Sequence, residues 1–157
     1  KSRAAAPFIA ARLHPFFSHD CFLEMKMNST RRQLGDRGEE LAAQMLIQSG
    51  LHIVERNWRC AVGELDLIAE EEAFDFVHAA VVTWRVLVEV RTRRGDRFGT
   101  AHQSITARKA AKLREVGQSY IQTVGWRGAW RIDVVAVQMD AHGHLQQIEH
   151  LRSAVTG

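Results

Sequence analysis

A chain of 157 residues, 46% of them hydrophobic, suits one domain with a real core and leaves little room for more. Its formal charge of +3 and pI near 9.2 give a mild basic bias, which permits a nucleic-acid partner without requiring one. Cys21 and Cys60 stand far apart, outside any Cys-x-x-Cys spacing; this argues against structural zinc and makes a reduced, cytoplasmic setting the default.

No apolar run is long enough to span a bilayer. The nearest, Ala73 to Val90, is broken by Asp75, His78, Arg85 and Glu89. Residues 1–28 start basic and acid-poor, with Lys1, Arg3 and Arg12 ahead of Asp20. They are expected to form a poorly ordered extension outside the domain, with Met25 or Met27 as initiator. A secretory signal fits poorly, because Arg12, His14 and Pro15 interrupt the short apolar stretch. The domain is expected over 29–152, with 153–157 as a tail.

Thr30-Arg31-Arg32-Gln33 has the form of a capping box. Leu34, Leu41, Ala42, Met45 and Leu46 follow at helical spacing, and Gly50 suits the residue after a helix end. The spacing predicts an amphipathic helix over Arg31 to Ser49. Glu39 and Glu40 sit in its first half. His52 to Trp58 alternates as a strand, with Ile53, Glu55 and Asn57 set against Val54, Arg56 and Trp58. Trp58 is expected at the edge of the core. Arg59 is evenly placed between a phosphate contact and an ordinary surface charge.

Gly63-Glu64-Leu65-Asp66-Leu67-Ile68 and Val88-Glu89-Val90-Arg91-Thr92-Arg93 both read as strands. Side chains two apart share a face. That puts Glu64 with Asp66, opposite Leu65 and Leu67, and Glu89 with Arg91, opposite Val88 and Val90. Antiparallel pairing would bring Asp66 and Glu89 together. Adjacent carboxylates repel unless a cation lies between them, and oxygen donors suit Mg²⁺ or Mn²⁺. A cation beside Arg91 is suited to handling phosphate.

Between those strands, Glu70-Glu71-Glu72 reads as an exposed turn. Ala73 to Arg85 is apolar, with Phe74, Phe76, Val77, Val81, Val82 and Trp84. It either extends the hairpin or covers a partner surface, a second copy of the chain included. After the second strand come Arg91, Arg93, Arg94 and Arg97, with Gly95 and Gly99. The second helix is expected over Thr106 to Val124, with Ala110, Leu113, Val116, Gly117, Tyr120, Ile121 and Val124 on one face. Arg108, Lys109 and Lys112 lie near its start, away from that stripe, as candidate phosphate contacts. Trp130 to Met139 and Leu145 to His150 are the last strands. Arg131 and Asp133 can hold each other, and Asp133 can also support the metal site from outside. His142 and His144 on the Gly143 turn lack further ligands for zinc.

Five phrases occur in order: Arg37-Gly38-Glu39-Glu40-Leu41-Ala42, Glu55-Arg56-Asn57-Trp58-Arg59-Cys60, Gly63 to Ala69, Val88 to Arg93, and Arg131 to Val137. Together they resemble the YraN-like family of small bacterial proteins over roughly Arg31 to Leu151. An aspartate followed on the next strand by Glu-x-Lys is similar to the PD-(D/E)xK nuclease pattern. The resemblance implies an α/β domain of restriction-endonuclease-like fold, with a mixed central β-sheet flanked by helices, akin to Holliday-junction resolvases. It further implies Asp66 and Glu89 as metal ligands, a role beside them for Glu39, and Lys109 as the match to a family lysine. Relatives that cut junctions work as dimers.

Position 91 departs from the pattern, since arginine replaces the family lysine. Arginine stays protonated at any useful pH and cannot take a proton from water, although it can stabilise transition-state charge. The expected catalytic set is therefore Asp66, Glu89, Arg91 and Glu39. Asp66 and Glu89 are expected to hold Mg²⁺ or Mn²⁺, and Arg59, Arg93, Arg94, Arg108, Lys109 and Lys112 to contact nucleic acid, with DNA as the expected partner. Metal-dependent phosphodiester hydrolysis is the first reading. A nucleic-acid-binding module without catalysis is the second, and a partner-binding protein using the apolar projection is the third.

Overall fold

The computed structural model describes residues 19–77, 79–95 and 105–155, with side chains described from Arg31 onward. The extension expected over 1–28 lies largely outside the described residues, as do Arg97, Gly99 and the last two positions of the tail. The described elements run α1 (His19–Gln48), β1 (His52–Cys60), β2 (Gly63–Asp75), β3 (Ala80–Arg94), α2 (Ala107–Thr123), β4 (Trp130–Met139) and β5 (Leu145–Val155).

The strands form one sheet in the order β1-β2-β3-β4-β5. β1–β2, β2–β3 and β4–β5 pair antiparallel, whereas β3–β4 pair parallel, with α2 as the crossover. This is the expected α/β domain with a mixed sheet and helices on its faces. Among the described residues, no helix is long and apolar enough to cross a membrane.

The two helices take opposite faces. Ala42, Ala43 and Leu46 of α1 pack on Leu67, Ala69, Val86, Val88, Val135, Val137 and Met139. Leu113, Val116 and Tyr120 of α2 pack on Leu65, Ile68, Leu87, Ile132 and Val155. Fully burying a leucine such as Leu46 contributes about 1.5–3 kcal/mol. Gly38 sets how closely α1 approaches the sheet, because a Cβ built there would lie 1.8 Å from Thr92 Oγ1.

Several local expectations change. Helix α1 starts at His19, well before the capping-box phrase. No proline or glycine stands between Cys21 and Leu34, so nothing forces the backbone out of the helix at Thr30. Its end is as expected, with Gly50 at φ 91°. Glu70-Glu71-Glu72 is not a turn but part of β2. Glu70 pairs with buried Arg85 at 2.8 Å, and Glu71 with Arg131 at 2.7 Å. Desolvated arginines on β3 and β4 recruit these acids out of solvent.

Ala73 to Arg85 extends the hairpin. Residues 71–75 of β2 and 80–84 of β3 pair only with each other, since β1 joins β2 from Glu70 and β4 joins β3 from Arg85. At the projecting end Phe76 and Val77 are each 87% exposed.

Candidate active site

The β2–β3 ladder stops at Leu67–Val88. One step further along that register Asp66 faces Glu89, and there the backbones part. Asp66 replaces the lost ladder bond with its side chain: Oδ2 accepts from the Val90 N–H at 2.6 Å. The strict alternation expected here fails at this point. Leu65 packs in the α2 layer while Leu67 packs in the α1 layer.

The partner strand changes face at the same step. Arg56 reaches Glu40 of α1 at 2.7 Å, yet Trp58 stacks edge-on against Tyr120 of α2 at 5.2 Å. Between them Asn57 has φ 54°, the left-handed region that asparagine tolerates better than most residues. Trp58 is half-buried in the α2 layer, in line with its expected place at the core edge.

Asp66 lies where carboxylates crowd. Burial raises its pKa, the Val90 N–H opposes this, and the charges of Glu89, Glu39 and Glu64 raise it further, to about 7. Glu39 of α1 is also raised, by burial first and by the charges of Asp36 and Glu64, against a lowering hydrogen bond from Asn57 and the charge of Arg56. Glu39 lines two concavities. One, of about 640 Å³, also has Arg32, Asp36, Asn57, Arg59 and Glu64 on its walls. The other faces Val90 to Arg93.

Glu89 is 7% exposed and draws two cations. Arg91 Nη1 is 3.5 Å from Oε1, so the i, i+2 placement on one face holds. Lys109 Nζ is 2.8 Å from the same oxygen. Lys109 reaches it because Thr106 caps α2, accepting from the Lys109 N–H at 3.2 Å. The helix start therefore lies over the carboxyl end of β3.

Asp66, Glu89, Arg91, Glu39 and Lys109 thus belong to one neighbourhood. The other basic candidates are more scattered. Arg59 pairs with Glu64 at 3.2 Å on the rim. Lys112 pairs with Glu115 at 2.9 Å along α2. Arg93 and Arg108 are exposed, and Arg94 packs against the Gly143 turn. Asp133 is fully buried, bound by Arg131 at 3.0 Å, His150 at 2.8 Å and the Ser153 N–H at 2.8 Å. Those partners make it a structural hub, the first of the two roles expected for it. His144 is exposed and pairs with Asp140 at 3.0 Å.

A hard divalent cation fits the donor set. Among the described residues, no group of three or more His, Cys, Asp or Glu side chains is arranged to hold a metal. A zinc or calcium cage is thus not what these residues build. Mg²⁺ needs only one or two protein carboxylates, with water and phosphate oxygens completing its shell. Asp66, pushed toward protonation by burial and three acidic neighbours, is a carboxylate whose ionised form a cation would stabilise.

The closeness of Lys109 to Glu89 is the feature that sequence reasoning missed, having set this lysine among peripheral phosphate contacts. The signal was topological. In a parallel crossover the helix begins near the carboxyl end of the strand before it.

Residues 38–137 match the model of the uncharacterised protein family UPF0102. The chain belongs to that family. Among its relatives, the UPF0102 protein of Pelotomaculum thermopropionicum is 39% identical over 82% of this chain and 99% of its own length. That of Rhodococcus jostii is 42% identical over 77% of this chain and 94% of its own. The Mycobacterium ulcerans protein is 42% identical over 78% and 93%. All of the motif residues from Gly38 to Val137 fall inside the family match, Lys109 included, while Arg31 precedes it.

Proposed function

We propose that this chain is a metal-dependent phosphodiesterase of restriction-endonuclease-like fold that acts on DNA in the cytoplasm. One observation carries the reading: two carboxylates meet where β2 and β3 separate, and two cationic side chains converge on one of them. Structural ion pairs alone give no reason to crowd Glu39, Glu64 and Glu89 around a buried aspartate.

Asp66 and Glu89 would hold Mg²⁺ or Mn²⁺. When bound, the cation lowers the pKa of a coordinated water and offsets charge on phosphate oxygens. Arg91 remains positive throughout and stabilises the charge that builds on the phosphate. Lys109 differs from it in kind, as a compact charge on a flexible stem. It stands beside Glu89, able to orient the attacking water or a phosphate oxygen. Burial raises the Glu39 pKa, and its carboxyl can position that water from the α1 side.

The test is incubation with branched, nicked and single-stranded DNA in Mg²⁺ or Mn²⁺. Asp66→Asn and Glu89→Gln should each abolish cutting while melting cooperatively. Failure of the unmodified chain to cut any of these would remove the hydrolase reading. The second reading, a nucleic-acid-binding module without catalysis, is favoured by a specific observation: Lys109 already neutralises Glu89 by itself. Binding with a steep salt dependence and no cleavage would select it.

A further inference from the structure

Close contact between Gly38 and Thr92 lays the second half of α1 directly on the end of β3. Beside that contact lies a concavity of about 430 Å³ whose walls include Arg31, Gly35, Glu39, Arg91, Thr92 and Arg93. Three arginines and one glutamate are among its lining residues. Among the described residues Arg31 and Arg93 form no ion pair, and both are exposed. Arginine's planar fork matches phosphate oxygens in pairs. Arg91 connects this concavity to the carboxylates, since it lines the wall and also reaches Glu89.

Gly35 is the second clue. It sits inside a helix, where glycine weakens the element. Packing does not require it, because a Cβ built there meets no heavy atom within 4 Å. A bare stretch of helix beside Arg31 and across from Arg93 suits a close-passing backbone of another molecule.

We propose that this concavity binds a second phosphate of the polynucleotide, next along the strand from the one at Asp66 and Glu89, with Arg31 and Arg93 holding it and Arg91 spanning the two. The assignment rests on the phosphodiester reading and adds to it the substrate class: a strand gripped through successive phosphates, not a small phosphoester.

The experiment measures binding of a single-stranded oligonucleotide by fluorescence anisotropy in EDTA across a NaCl series, with cleavage assayed separately in Mg²⁺. The variants are Gly35→Glu, Gly35→Ala and the pair Arg31→Ala with Arg93→Ala. Thermal melts accompany each, and the open space at Gly35 predicts that its variants fold. Losing one phosphate contact should lower the magnitude of the salt slope by about 0.7. The arginine pair and Gly35→Glu should each bind about tenfold more weakly, and Gly35→Ala should match the unmodified chain.

Unchanged slope and affinity in the folded arginine variant, with cleavage intact, would overturn this subsite and leave the hydrolase reading standing. Loss of binding in the variants without cleavage by any form of the chain would support the subsite and reject the hydrolase. No oligonucleotide binding by the unmodified chain in EDTA would overturn the subsite, and absence of cleavage in Mg²⁺ as well would overturn both readings.

Discussion

Replacing Asp66 by asparagine should make the metal-free protein more stable, and increasingly so as pH rises. The aspartate's pKa goes from 3.8 in its ordinary state to about 7 when folded. Between those values the folded chain binds more protons than the unfolded one, so stability falls as pH rises through that window. With about 1.4 kcal/mol per pKa unit, the loss reaches about 4 kcal/mol once pH exceeds the folded value. Asparagine cannot ionise, but its carbonyl can still accept from the Val90 N–H. Urea unfolding of both proteins in EDTA should therefore give curves that differ little near pH 4, and by about 4 kcal/mol near pH 8.5. Mg²⁺ at ten times its dissociation constant should restore about 1.4 kcal/mol to the unmodified chain and nothing to the variant. An Asp66→Asn advantage that stays flat between pH 4 and pH 8.5 would refute the crowded, desolvated carboxylate on which the metal site depends.

Three further outcomes follow from the geometry. Gly38→Ala forces a methyl group onto Thr92 Oγ1 and should cost about 1–3 kcal/mol in urea melts; Thr92→Ala in the same chain should recover part of it. Asp133→Asn should cost about 1–3 kcal/mol at neutral pH, because it removes one of the two carboxylates that pair with Arg131 and leaves Glu71 as the other. Because His150, Arg131 and the Ser153 N–H lower the aspartate's pKa against the opposing effect of burial, the stability it contributes is complete above 3.8 and lost as pH falls through its folded value, so the gap should close on acidification. Lys109→Met should slow cleavage by about a hundredfold by removing a cation from the developing phosphate charge, while the Mg²⁺-induced rise in stability survives.

Much of this architecture is legible from residue patterns, because burial on two faces imposes simple periods. The apolar stripe of α2 and the alternation of β3 and β4 follow that logic, and Leu113, Val116 and Tyr120 are buried as their spacing requires. The Glu89–Arg91 pairing is legible for the same reason, since both lie on one strand and no third element is needed to align them. Patterns fail where the contact is long-range. Nothing within Glu70-Glu71-Glu72 announces buried arginines at positions 85 and 131, so three consecutive acids resemble an exposed turn. The helix start fails differently: a capping phrase permits an N-terminus, whereas ending a helix requires the backbone to leave its helical conformation.

The most informative departure is at Asn57 and Asp66. A period of two assumes an unbroken pleat, and here two paired strands change face together. Without that step, alternation from Leu67 would turn Leu65 toward α1 and hold Asp66 within a regular ladder. With it, Leu65 fills the α2 layer, the ladder ends, and Asp66 is freed to cap Val90 in the gap where Glu89 stands. The irregularity leaves a gap between two strands that a perfect sheet would have closed, and it is there that the proposed cation would sit. A left-handed conformation at a non-glycine residue is costly in isolation. Its coincidence with the convergence of Glu39, Glu64 and Glu89 on Asp66 argues that Asn57 is held this way for the site. Asn57→Val should therefore impair Mg²⁺ binding more than an equally destabilising change in the core, such as Val137→Ala, does.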